Sequence, residues 1–192
     1  VFQMFEKNGI IQRSEIDHIV KLISKEERKK LWAMGIKIGR YHVFLPKMLK
    51  PKAVLLRTKL WKLYYDISKN IYIPKFGLNF VLNENFDSKL LLICGFEKFQ
   101  NFFVRVDMLE KLFINIMDKT VNKKFTISPE MMNLLGCTKE NFYKLMELMN
   151  YKKTKEIDTY FFAGDSKKIR KKVYNKKNSE SPFNKLLSLN IK

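Results

Sequence analysis

Apolar positions along this chain change spacing from helical to alternating and back. Ile16, Ile19, Val20 and Ile23 fall at helical spacing behind Ser14 and Asp17, which predicts a capped amphipathic helix. Ser24 and Glu27 repeat the capping-box spacing and open a second helix over EERKKLWAM, ended by Gly35. In residues 36–45, Ile36, Ile38, Val43 and Leu45 alternate around Gly39, so the stretch reads as extended with a bend or bulge there. Pro46 and Pro51 bracket a short turn, and Pro51 suits the first turn of a helix running to about Ser68. Val54, Leu55, Leu60, Trp61, Leu63 and Tyr64 are expected to form its buried face, with Lys52, Arg57, Lys59 and Lys62 outside.

Residues 69–88 are polar, with Pro74 and Gly77, and read mostly as a long connection. LLLIC at 90–94 and FFVRV at 102–106 read as short strands, with Phe102 and Phe103 in a core. Asp107 is expected to cap a helix over MLEKLFINIMDK, with Glu110 as its capping-box partner. Ser128 and Pro129 open PEMMNLL, which ends at Gly136. Thr138 caps KENFYKLMELMN, where Phe142, Leu145, Met146 and Met149 share a face, and TYFF at 159–162 is strand-like. From Asp107 onward the order is helix, helix, tight turn, helix and two-stranded ribbon. A winged helix-turn-helix with its wing at 151–163 reads this way, and so does a generic helical bundle.

The expected fold class is therefore α+β, mainly helical. A mixed helix–strand part occupies residues 1–75. Short strands plus a winged-helix-like bundle occupy 76–164. A basic, mobile tail over 165–192 ends in SPFNKLL at 181–187, a docking segment.

Of the 192 residues 46% are hydrophobic, which suits a globular chain, and 7 Gly with 5 Pro exclude collagen-like and linker-like classes. Cys94 and Cys137 form no CxxC pair and read as reduced thiols of a cytoplasmic protein. No apolar run approaches the ~18 residues of a membrane span. A start at Val1, without methionine, suits a piece cut from a longer protein.

The formal charge is +19, and it is segregated. Residues 25–75 carry 14 basic against 3 acidic groups, and residues 151–192 carry 12 against 4, while the stretches 1–24 and 76–150 are each neutral. Such a balance favours a polyanionic partner. Lys and Arg neutralise phosphates, and aromatics among them offer faces for bases. The first zone offers Arg40, Tyr41, His42, Lys47, Lys50 and Lys52, although a packed strand histidine is the commoner fate of a residue like His42. The second offers Lys152, Lys153, Lys168 and Arg170, with Lys139 and Lys144 facing out from the helix before the wing. A solvated basic surface is the plainer alternative for each zone. No GxxxxGK[ST] or GxGxxG loop, metal-ligand spacing or nucleophile constellation is present, so no catalytic residue, metal site or cofactor is assigned to this chain.

Four stretches in order carry a family resemblance: LWAMGIKIGRYHVFLPKMLKPKAVLLRTKLWKL at 31–63, GFEKFQNFFVRVDMLEKL at 95–112, MMNLLGCTKENFYKLMELMNYK at 131–152 and SPFNKLL at 181–187. Together they resemble the region that follows the motor core in bacterial DExH-box helicases of superfamily two, relatives of the mitochondrial degradosome RNA helicase. The resemblance implies an upstream ATP-dependent motor, using ATP and magnesium, and an accessory role for this region in gripping RNA or DNA. The family's Walker A, DExH and arginine-finger residues have no matching positions here. The rival expectation is a protein-interaction module that docks an acidic partner, such as a nuclease or the motor lobes.

Overall fold

The computed structural model describes residues 1–67, 73–82, 88–155 and 157–163, and Val1–Phe162 form one compact unit. The chain opens with α1 (Phe2–Glu6), β1 (Ile10–Gln12), α2 (Arg13–Leu22), α3 (Lys25–Ala33), β2 (Lys37–Ile38) and β3 (His42–Phe44). The Ser24–Glu27 capping box is formed as expected, and Gly35 takes a positive φ of 86° just beyond α3. Ser14 is not a cap, because β1 runs directly into α2. Asp17 instead bonds Arg13 and Lys21 along the helix. The strands pair antiparallel in the order β1-β3-β2, with Ile11 opposite Val43. Gly39 makes the bend between β2 and β3. Met4, Ile11, Ile16, Val20, Ile36 and Val43 form the first core.

A 3-10 turn over Pro46–Leu49 leads to α4 (Pro51–Tyr64), with Pro51 in its first turn. The expected buried face of α4 is wrong in detail. The helix buries Val54, Arg57 and Thr58, whereas Leu55, Leu60, Leu63 and Tyr64 are exposed, Leu63 at 78%. Arg57 is held inside because its guanidinium donates to the carbonyls of Asn8 and Met48, at 2.9 and 2.7 Å. Those bonds tie α4 to the loop before β1 and to the 3-10 turn.

Then follow β4 (Phe80–Leu82), α5 (Ser88–Ile93), β5 (Phe96–Lys98) and β6 (Phe102–Arg105). Two expectations are corrected here. The stretch read as connection contains β4, and LLLIC is helical rather than a strand. Leu90, Leu91 and Cys94 are all buried, a spacing that one helix face satisfies and an alternating strand would split between two faces. The second sheet runs β4-β6-β5, and its core joins Val54, Val81, Leu90, Leu91, Cys94, Phe96 and Phe103.

The last part holds α6 (Val106–Asp118), β7 (Lys124–Thr126), α7 (Pro129–Leu135), α8 (Lys139–Leu148), β8 (Tyr151–Lys153) and β9 (Thr159–Phe162). Asp107 lies inside the first turn of α6, paired with Arg105, and Glu110 is not its capping partner. Gly136 ends α7 in the left-handed region at φ 67°, and the Thr138 hydroxyl caps α8. Phe142, Leu145, Met146 and Met149 pack inward with Leu109, Leu112, Ile116, Met131 and Tyr160. The third sheet runs β7-β9-β8.

The three sheets of the described residues share one plan. Each is antiparallel and places its last strand in the centre, between the first strand and the middle one. A mixture of helices with small antiparallel sheets makes the protein α+β. The helix expected to run to about Ser68 ends earlier, at Tyr64, where Tyr65 caps it and Asp66 takes a positive φ of 49°. Ser68 itself, the tail over 165–192 and the candidates Lys168 and Arg170 lie outside the described residues.

Candidate functional site

The basic stretch around Arg40 is organised by a carboxylate from 70 residues away. Glu110 sits on the buried side of α6, near Val106 one turn before and Phe113 one turn after. Its Oε2 accepts the Arg40 amide at 2.7 Å, and its Oε1 accepts the amides of Tyr41 and His42 at 2.8 and 2.7 Å. Glu110 is only 6% exposed, so these charge-assisted bonds replace its lost water. The β2–β3 turn is also fixed from α2, where Arg13 donates to the Gly39 carbonyl at 2.9 Å.

This grip decides what the turn presents. His42 faces inward and is 2% exposed; its Nε2 lies 3.0 Å from Glu97 Oε2 and its Nδ1 lies 3.5 Å from Glu110. Burial disfavours its charged form, but the Glu110 and Glu97 carboxylates outweigh that effect and hold its pKa above the ordinary value. Glu97 also accepts from Gln12 at 2.9 Å. One cluster therefore draws His42 from the first sheet, Glu97 from the second and Glu110 from the helix leading into the third.

Tyr41 is half-buried. Its ring meets Phe113 edge-on at 5.7 Å, its hydroxyl bonds Tyr151, and burial pushes its pKa far up. Arg40 is exposed, with its guanidinium 5.8 Å from the centre of the Phe162 ring. The turn from the first sheet thus reaches the strands that carry the second basic zone.

On those strands Lys152 and Lys153 are exposed. Lys153 and Lys139 both stand 5.5 Å from the Tyr143 ring centre. Asp158, in the turn before β9, accepts from Lys139 at 3.1 Å and from the Tyr143 hydroxyl. Those donors lower the Asp158 pKa. The result is a surface of two lysines around an aromatic ring, with one carboxylate beside it, next to Arg40 on Phe162.

The structure brings Arg40 and Tyr41 close to β8 and β9, and Lys139 close to Lys153. It does not bring in every candidate. His42 is interior. Lys47, Lys50 and Lys52 are exposed on the 3-10 turn and at the start of α4. Lys144 is exposed on α8, about 140° around the helix from Lys139. Sequence reasoning missed Tyr143 and Phe162 as the rings that seat the cations, and missed Glu110 as the organiser. A carboxylate among the apolar positions of α6 was the available signal.

Among the described residues there is no group of three His, Cys, Asp or Glu side chains able to hold a metal, and no helix is long and apolar enough to cross a membrane. No protein-family model, curated protein or solved structure matches the chain.

Proposed function

We propose that this chain is a non-catalytic nucleic-acid-binding region that grips the phosphate backbone of RNA or DNA beside an upstream, ATP-dependent helicase motor. The observation that carries this reading is the cationic, aromatic surface of Lys139, Tyr143 and Lys153, joined by Arg40 on Phe162. The element order helix–strand–helix–turn–helix–hairpin in residues 106–162 supports assigning the last part as a winged helix, with α8 and the β8–β9 hairpin toward the strand. The resemblance of four stretches to the post-motor region of DExH-box helicases supports the same role. ATP and magnesium belong to the motor, and the site of action is cytoplasmic. Phosphate neutralisation makes binding largely independent of sequence and steeply dependent on salt.

Fluorescence anisotropy with labelled single-stranded and duplex RNA and DNA, between about 50 and 200 mM salt, tests the proposal. A steep log–log salt slope is expected. No binding to any of the four at the lowest salt overturns it.

The outer face of α4 favours a second reading. Leu56, Leu60, Leu63 and Tyr64 are exposed among Lys52 and Lys59. That pattern suits an apolar partner surface with an acidic rim, on a nuclease or on the motor lobes. Salt and unrelated polyanions displace a nucleic acid but leave such an apolar contact in place.

A further inference from the structure

The outermost side of α4 carries a ridge with the spacing of a coiled-coil seam. Ala53, Leu56, Leu60 and Leu63 follow one another at intervals of three, four and three residues, the repeat that keeps apolar side chains on one line along a helix. The three leucines lie within about 60° of arc and nearly opposite the buried Val54 and Thr58. They are 58%, 56% and 78% exposed, so they stand in solvent. Lys52 and Lys59, both exposed, run along one edge of the ridge, at positions that face charged residues of a partner helix. No Asp or Glu occurs in α4 or in the 3-10 turn before it. So narrow a line of leucines is the seam of a helix pair rather than the broader stripe that packs on a protein core.

We propose that this ridge docks an acidic amphipathic helix of a partner protein, laid along α4. The partner's apolar side chains interlock with Leu56, Leu60 and Leu63, and its carboxylates meet Lys52 and Lys59. The charge of the ridge selects this occupant. A second copy of the chain brings the same lysines and no carboxylate to the seam, and each chain carries +19. An acidic helix neutralises the edge that a second copy repels. The 14 residues of α4 span about 21 Å. A single helix on so short a ridge buries less than a standard interface, and the expected Kd is on the order of 10 µM. The inference rests on the second reading above, an apolar docking surface with an acidic rim on its partner, and not on the nucleic-acid surface.

Anisotropy titration of the full chain with a labelled three-heptad peptide, in about 150 mM salt to screen the diffuse charge of the chain, tests the proposal. The peptide carries leucine at a and d and glutamate at e and g, and its like charges keep it from pairing with itself. A twin with lysine at e and g and a scrambled glutamate peptide of the same composition are the comparisons. The glutamate peptide is expected to bind one to one, about tenfold or more tightly than either. Leu60→Lys is expected to weaken its binding by about tenfold or more, the scale of one leucine withdrawn from an interface. Lys52→Glu with Lys59→Glu is expected to shrink the preference for glutamate over lysine by about tenfold. These positions are exposed, and circular dichroism verifies that each variant is folded. Lys139→Ala with Lys153→Ala leaves the binding unchanged. Binding that is lost in Leu60→Lys but equal for the glutamate and lysine peptides overturns the acidic helix and leaves the apolar docking surface standing. A scrambled peptide that binds as tightly as the patterned one overturns both, because charge alone then attracts it. A leucine-dependent dimer in sedimentation velocity makes a second copy the occupant and overturns the proposal, as does no binding of the glutamate peptide at about 1 mM.

Discussion

The carboxylate of Glu110 occupies the space that a side chain on Gly39 would need. A Cβ built on Gly39 collides with all three terminal atoms of that carboxyl group. The glycine is therefore required by a neighbour from another part of the chain, because its φ is not in the left-handed region. Gly39→Ala is expected to destabilise the protein by about 2–3 kcal/mol through overpacking. Chemical denaturation of both single variants and of the double variant with Glu110→Ala measures the coupling. The Gly39→Ala cost should shrink once Glu110 is shortened.

Glu110→Ala leaves three backbone amides without their acceptor, and the expected loss is about 3–5 kcal/mol. Glu110→Gln retains one accepting oxygen but aims an NH₂ group at an N–H donor. Its loss should be smaller than that of alanine yet clearly measurable by urea unfolding.

The pH dependence of stability follows from His42. Its folded pKa is raised above the reference value of 6.5. The protonated contact with Glu97 and Glu110 then contributes fully below about pH 6.5 and is lost as pH rises through the raised folded value. Thermal melts should show a falling Tm across that window. His42→Gln should flatten the curve there.

At the proposed nucleic-acid surface, Arg40→Ala and Lys153→Ala are each expected to reduce the magnitude of the log–log salt slope by about 1. Asp158→Asn is expected to tighten binding, because it releases Lys139 and removes a negative charge from the surface. Asn also tolerates the φ of 53° at this position. Anisotropy titrations at several salt concentrations read all three variants.

Leu63→Lys on the outer face of α4 should change stability by less than about 0.5 kcal/mol, as for other exposed sites. A loss of several kcal/mol would show that this face is covered in solution.

Elements with local punctuation were legible in the sequence. The Ser24–Glu27 box, Pro51, Gly136, Thr138 and the apolar face of α8 are each specified within a few residues of chain. The misreadings have non-local causes. LLLIC has no periodicity, so only its packing against Val54 and Phe103 makes it helical. The leucines of α4 share one side of the helix, which the structure leaves outside, while two carbonyl acceptors hold Arg57 on the buried side. Glu110 stands three residues after Asp107 and so imitates a capping box, but its real partners lie 68–70 residues earlier. The candidate surface was legible as charge, while its assembly through the rings of Tyr143 and Phe162 was not.

The carboxylate that holds the β2–β3 turn also bears on the order of folding. Most strand pairings close within a few dozen residues, so each sheet can form from nearby chain. The contacts of Glu110 close a loop of about 70 residues, whose entropy is recovered only when the parts already have shape. These bonds are expected to form after the rate-limiting step. Glu110→Gln would then accelerate unfolding and leave the refolding rate nearly unchanged. The three parts would assemble first and be latched last, which gives Glu110 control over how long the folded protein survives rather than how fast it appears.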